Sequence, residues 1–175
     1  MKKLFILLGI IILVLGVAFW GFKTWTKSHS PQTTTTFKTD DLEIKVSYSQ
    51  PQKKGREIFG GLVPYGKVWR TGANEATTIT FEPDVVVAGK PLASGTYTLW
   101  TIPDPNQWTI IFNKETGQWG TNYDEKQDVL RVSVPTATLP STTENFTITI
   151  NSQSTGADIH LIWDRTDIVV PIKPQ

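Results

Sequence analysis

Apolar and polar side chains alternate with a period of two through most of the chain. Leu42, Ile44, Val46 and Tyr48 alternate with Glu43, Lys45 and Ser47, which places the apolar set on one face of a half-buried strand. The period returns with Ile79 and Phe81, with Trp108, Ile110 and Phe112 opposite Thr109, Ile111 and Asn113, and with Leu130, Val132 and Val134. Phe146, Ile148 and Ile150 repeat it, as do Ile159, Leu161 and Trp163. Turn chemistry separates these segments, as in Ala93-Ser-Gly-Thr96 and Pro103-Asp-Pro-Asn106. With no helical period after residue 27, the pattern predicts about nine to ten strands in an antiparallel β-sandwich (jelly-roll-like) or barrel. Pro171 cannot donate to a ladder, so Asp167–Ile172 is expected at a sheet edge.

The N-terminus has a different character. Leu4 to Phe22 carries no charged side chain, and as a helix it spans about 29 Å, the thickness of a bilayer's hydrocarbon core. Lys2 and Lys3 precede it, and Trp20, Phe22, Trp25, Lys23 and Lys27 suit an interfacial belt. The run is long for a secretory leader and lacks a small-x-small cleavage site, which favours an uncleaved signal anchor over a cleaved signal peptide. Residues 1–27 are therefore expected as one transmembrane helix, 28–36 as a polar tether, and 37–175 as an extracytoplasmic domain. There is no cysteine, hence no disulfide framework, thiol nucleophile or lipid attachment at a lipobox.

The formal net charge of +1 includes four lysines before residue 36. Without them, 13 Lys/Arg (17 − 4) face 16 Asp/Glu, a net of −3. That mildly acidic domain lacks the clustered cations that nucleic acid requires, and no such partner is expected.

Two excursions interrupt the strands. In Ile58–Phe81, Gly60, Gly61, Pro64, Gly66 and Gly72 surround Tyr65, Trp69 and Arg70. As a ligand site, Trp69 is a stacking platform, Arg70 a clamp for carboxylate or phosphate, and Asn74 and Glu75 orienting groups. As a folding device, Trp69 and Leu62 fill the end of the core while Arg70 and Glu75 pair. The second excursion, Asn113–Asp128, offers Asn113, Trp119 and Tyr123 as further walls of one shared pocket, or forms a solvated hairpin loop with Trp119 against the sheet.

Dedicated chemistry has thin support. The phosphate-cradling glycine patterns are absent, so no cofactor is expected. His29 falls in the tether and His160 stands alone on a strand, opposite Ile159, Leu161 and Trp163, so no metal site is expected. A hydrolytic enzyme would have to bring Glu75 or Asp124 to His160 as acid or base.

A resemblance emerges from longer blocks. Tyr48-Ser-Gln-Pro51, Gly55 through Thr77, Leu92-Ala-Ser-Gly-Thr-Tyr97, Phe112-Asn-Lys114 and Gln118-Trp-Gly120 together resemble the bacterial domain-of-unknown-function 2911 family, over roughly residues 42–172. The resemblance implies an exported bacterial protein, often behind a signal peptide; this chain departs in keeping what reads as an anchor. It supplies no catalytic residue, but Trp69, Arg70, Gly72, Asn74 and Glu75 coincide with the family's most recognisable motif. The expectation is a single-pass protein of the bacterial cell membrane, its domain facing outward and binding a small polar ligand or an envelope protein. A hydrolase and a structural component of an envelope complex are the alternatives.

Overall fold

A computed structural model of the chain describes the backbone of residues 2–175, with all side chains outside 2–4, 6–8 and 22–28. The helix α1 (Lys2–His29) precedes β1 (Gln32–Lys38), β2 (Glu43–Ser49), β3 (Thr77–Glu82), β4 (Val85–Val87) and β5 (Lys90–Leu92). There follow β6 (Gly95–Ile102), β7 (Gln107–Asn113), β8 (Asp128–Gln153) and β9 (Gly156–Pro174). The nine strands form one antiparallel sheet in the order β1-β2-β3-β6-β7-β8-β9-β4-β5.

The length of β8 turns this sheet into two layers. Its first part, to Pro135, pairs with β7, and the remainder from Thr136 pairs with β9, with register shifts between Thr138 and Thr143 and between Thr143 and Thr147. One layer is thus β1, β2, β3, β6, β7 and the start of β8; the other is the rest of β8 with β9, β4 and β5. Leu42, Ile44, Val46, Ile79, Phe81, Ile110, Phe112, Ile148, Ile159 and Ile168 are buried between them, as the alternation predicts.

The edge strands β1 and β5 do not pair, so the sheet is open and the barrel alternative falls away. Side chains hold the near edges together. The Thr35 hydroxyl donates to the Ile148 carbonyl (2.9 Å), and the Tyr48 hydroxyl accepts from the Ile148 N–H (2.9 Å).

Several expectations need correction. Residues 32–36, expected in a tether, belong to β1 and pair with β2 from Gln32↔Ser49 onward. Their β-branched threonines favour extended backbone, and an edge strand with one exposed face tolerates their polarity. The strand carrying Pro171 is not an edge: β9 lies between β8 and β4. Pairing with β8 involves Ile168 and earlier residues, and the Pro171 carbonyl accepts from Ala88 N–H (2.9 Å), so the missing donor is tolerated. The segments around Phe146 and Leu130, read separately, are one bent strand, as are those around Trp163 and Pro171; Asp164 bends the latter with a left-handed φ of 54°.

Among the described residues no helix is long and apolar enough to cross a membrane. Much of the expected anchor, including Leu4, Phe22 and Trp25, has side chains outside the described residues.

Residues 50–76 carry no strand of their own and run across one end of the sandwich. Lys53 N–H bonds the Glu144 carbonyl (2.8 Å) on β8, while Trp69 exchanges two hydrogen bonds with Thr101 on β6 (2.7 and 2.9 Å). Between these fastenings Phe59 and Trp69 enter the interlayer space. Trp69 stacks on Trp163 of β9 (centroids 5.9 Å, 17°) and meets Trp108 of β7 edge-on at 6.1 Å and Phe146 of β8 at 5.1 Å. Each such contact adds about 0.5–1.5 kcal/mol beyond burial. Trp69 therefore joins both layers, and Trp69→Ala should lower stability by ~3–5 kcal/mol in chemical denaturation; a loss below ~1 kcal/mol would deny it that place.

Candidate functional site

The segment from Trp69 to Glu75 makes a tight, over-determined turn. Thr71 (φ 53°) and Asn74 (φ 59°) adopt left-handed backbone, which for a β-branched residue such as threonine is a strained conformation costing about 1–3 kcal/mol. Surrounding bonds enforce it. The Thr77 hydroxyl donates to the Thr71 carbonyl (2.7 Å), and the buried Thr71 hydroxyl donates to the Thr101 hydroxyl (3.2 Å). Asn74 Nδ2 donates to the Ser30 carbonyl (3.3 Å), tying the chain that leaves α1 to this turn.

Above the aromatic junction lies a cleft of about 430 Å³. Trp69 and Trp163 lie at its aromatic side, and Leu62 and Val63 extend that apolar wall. Lys54, Arg56 and Arg70 also line it, together with His29, Ser30 and Asn74, but among the described residues no Asp or Glu does. In a domain of net negative charge, this is a local concentration of positive potential.

Arg70 is the least compensated of these cations. Its guanidinium is half-buried and has no hydrogen bond or ion pair to any described residue. Desolvation by burial holds its pKa below the usual arginine value, although arginine stays charged at physiological pH. The expected Arg70–Glu75 pair is therefore not formed. Arg56, by contrast, donates Nε–H to the Lys53 carbonyl (2.9 Å) and Nη2–H to the Gln52 carbonyl, neutral acceptors that leave its charge uncancelled.

The second excursion supports the first through backbone contact. Gly120 N–H bonds the Asn74 carbonyl (3.0 Å), Ala76 N–H bonds the Gln118 carbonyl (3.3 Å), and Glu75 bridges Trp119. A Cβ at Gly120 would collide with Arg70 Cδ and lie 2.7 Å from the Asn74 oxygen. The absence of a side chain at residue 120 is thus what lets the arginine stem lie where it does.

The predicted site residues divide accordingly. Trp69, Arg70 and Asn74 reach the cleft. Glu75 joins the neighbouring bridge, and Trp119 is half-buried outside the cleft lining. Asn113 is fully buried and satisfied: Nδ2 donates to the Asp124 carbonyl and Asp128 Oδ1 (both 2.8 Å), and Oδ1 accepts from Glu115 N–H (3.0 Å).

Tyr123 lies against Trp100 (5.0 Å) with Ala76 and Ile111, on the sheet face opposite the main core. The second excursion covers this face, so Ile111 and Asn113 are buried although the strand period assigned them outward. The Tyr123 hydroxyl donates to Asp128 Oδ2 (2.6 Å) and accepts from Arg131 Nη2 (2.8 Å). Burial first, and the Asp128 hydrogen bond second, push its pKa up to about 12.

His160 and Asp124, two of the residues named for a hydrolytic role, each bond a partner of their own. His160 Nδ1 bonds Asp167 Oδ2 (2.9 Å) on its own strand, and Asp124 Oδ1 accepts from Lys126 N–H (3.0 Å) to cap a short 3-10 turn. Pattern reading overlooked Lys54, Arg56, Ser30 and Trp163. The cations Lys53, Lys54 and Arg56 in quick succession before Ile58 were the available signal.

Fold and site together define an all-β protein, a two-layered antiparallel domain plugged by aromatic side chains at the end that carries the cationic cleft. The chain belongs to the DUF2911 family, described as a protein of unknown function, whose model matches residues 30–172. That span begins at the exit of α1 and includes β1, earlier than the resemblance in the sequence placed it. Neither the curated proteins nor the solved structures compared contained a match.

Two outcomes follow from this geometry. Gly120→Ala should cost ~1–3 kcal/mol in chemical denaturation, because the new methyl meets both a side chain and fixed backbone; a neutral effect would mean Arg70 is not held on this glycine. The folded state keeps the Tyr123 proton above the ordinary phenol value of 10.0, so stability falls as pH rises through the window from 10.0 to about 12. Besides Tyr97, whose pKa burial also raises, ultraviolet titration should find a late phenol that disappears in Tyr123→Phe, together with a shallower alkaline loss of stability.

Proposed function

We propose that this is a membrane-anchored extracytoplasmic binding domain, which holds a small anionic ligand in the cleft beside Trp69 and Trp163 with Arg70 as its principal contact. The observation that carries the reading is Arg70 itself. A half-buried guanidinium that meets no carboxylate among the described residues loses hydration without a compensating partner among them. A carboxylate or phosphate arriving in the cleft would offset that cost with charge-assisted hydrogen bonds. Lys54 and Arg56 add charge of the same sign, and the aromatic wall gives the ligand's apolar part a surface to stack on.

Support for the anchor comes from the sequence and from exposure. The apolar run Leu4–Phe22 matches a bilayer in length, and its described members, such as Ile12, Leu13, Leu15 and Phe19, are 62–70% exposed and not folded into the sandwich. An apolar surface of that extent has lipid as its natural solvent. Export to the outer side of a bacterial membrane accords with Lys2 and Lys3 ahead of the apolar run.

Thermal denaturation of the full chain in neutral detergent, with and without inorganic phosphate, organic phosphates and carboxylates, tests the binding claim. At least one anion should raise the midpoint, and Arg70→Ala should weaken its binding about 10- to 100-fold. In the absence of ligand the same variant should change stability by less than ~1 kcal/mol, whereas loss of a buried structural ion pair costs about 3–5 kcal/mol. If no anion stabilises the protein and Arg70→Ala unfolds it, the arginine is structural.

A further inference from the structure

Outside α1, the large apolar side chains left exposed among the described residues are Leu62 (47%), Tyr65 (42%), Val68 (39%) and Val129 (47%). The first three lie on the same excursion, and Leu62 also lines the cleft. Their exposure does not come from looseness. Val63 N–H bonds the Ile58 carbonyl (2.8 Å), Leu62 N–H the Glu57 carbonyl (3.0 Å), Gly60 N–H the Val63 carbonyl (2.9 Å) and Gly66 N–H the Pro103 carbonyl (2.9 Å). A braced loop thus presents apolar side chains to solvent beside a cationic cleft.

The helix fixes how far this loop can be from the bilayer. α1 is continuous to His29, and His29 and Ser30 line the cleft. Ser30 and Pro31 are stitched to the domain through Asn74 Nδ2 (3.3 Å) and Gln50 N–H (2.9 Å). The apolar run ends at Phe22; the seven residues from there to His29 rise about 10 Å, comparable to the polar layer of about 5–8 Å on each side of the hydrocarbon core. A flexible tether would have let the domain drift away, but residues 32–36 are strand.

Resting on the anchored, anion-binding reading above, we infer that the cleft takes the anionic phosphate head group of a membrane lipid, with Leu62, Tyr65 and Val68 seated in the interface beside it. Charge complementarity selects this occupant. The domain's net charge of −3 (13 − 16) opposes an anionic surface, while Lys54, Arg56 and Arg70 attract one locally, so the field turns the cleft toward the lipid. The aromatic and aliphatic wall of Trp69, Trp163 and Leu62 suits the glycerol and first methylenes behind a head group better than it suits a fully hydrated inorganic ion.

The absence of cysteine makes a clean test possible. Tyr65→Cys, carrying a polarity-sensitive dye, is placed in the full chain and reconstituted in vesicles of phosphatidylcholine alone or with added phosphatidylglycerol, both with brominated acyl chains. A dye at Thr155→Cys, in the β8–β9 turn, serves as the reference. The expected result is quenching at residue 65 that is several-fold stronger with phosphatidylglycerol, falls about five-fold in Arg70→Ala or Lys54→Ala, and exceeds that at residue 155. Equal quenching in both vesicle types, or none in either, overturns the lipid assignment. If the dye is not quenched while inorganic phosphate still stabilises the protein through Arg70, the cleft binds a soluble anion and only the lipid assignment falls. If phosphate also has no effect, the binding reading falls with it.

Discussion

The stacking of Trp69 on Trp163 is the contact on which the rest of this structure depends. An open sheet bent into two layers has an end through which water could reach the core, and residues 50–76 close it by sending Phe59 and Trp69 inward. Because Trp163 belongs to β9 and Trp108 to β7, one indole contacts both layers at once. The same indole pair forms the aromatic side of the cleft. Closure of the core and construction of the site are one event, so the cleft is as rigid as the hydrophobic core beneath it.

Arg70 follows Trp69 directly, and its placement inherits that rigidity. With the indole buried, the next side chain must leave at the rim, where Gly120 supports its stem and the Thr71–Asn74 turn fixes its direction. Strain in that turn is the kind that persists only where surrounding bonds over-determine it. Two excursions far apart in sequence therefore cooperate unequally: the first supplies the charge and the wall, and the second supplies a glycine-lined seat and a backbone brace. Asn113 and Tyr123 belong to the brace, on the far face of the sheet.

Period-two patterning was enough to locate the strands and their inward faces, because burial on one face imposes that period directly. It could not reveal that β8 and β9 are each a single bent strand, since bends at Thr138–Thr147 and at Asp164 break the alternation just where continuity had to be inferred. The threonines at 33–36 read as a tether because polarity marks both loops and exposed strand edges. Trp69, Arg70 and Asn74 were legible from composition. Lys54, Arg56 and Trp163 were not, since only the crossing of residues 50–76 over the end of the sandwich brings them together. The division of the second excursion between support and site was likewise hidden, because it rests on which face of β6 and β7 that loop covers.

The central claim is that Arg70 is a charge held for an anion rather than a fastening of the fold. The most direct measurement is the side-chain Nε–Hε nuclear magnetic resonance signal of Arg70, assigned by its loss in Arg70→Lys, followed in the detergent-solubilised full chain as inorganic phosphate is added. A saturable shift of this signal, with slowed exchange of its proton and little movement of the Arg131 signal, is the result the account predicts. An Arg70 signal already shifted and protected without phosphate, and indifferent to its addition, would contradict it.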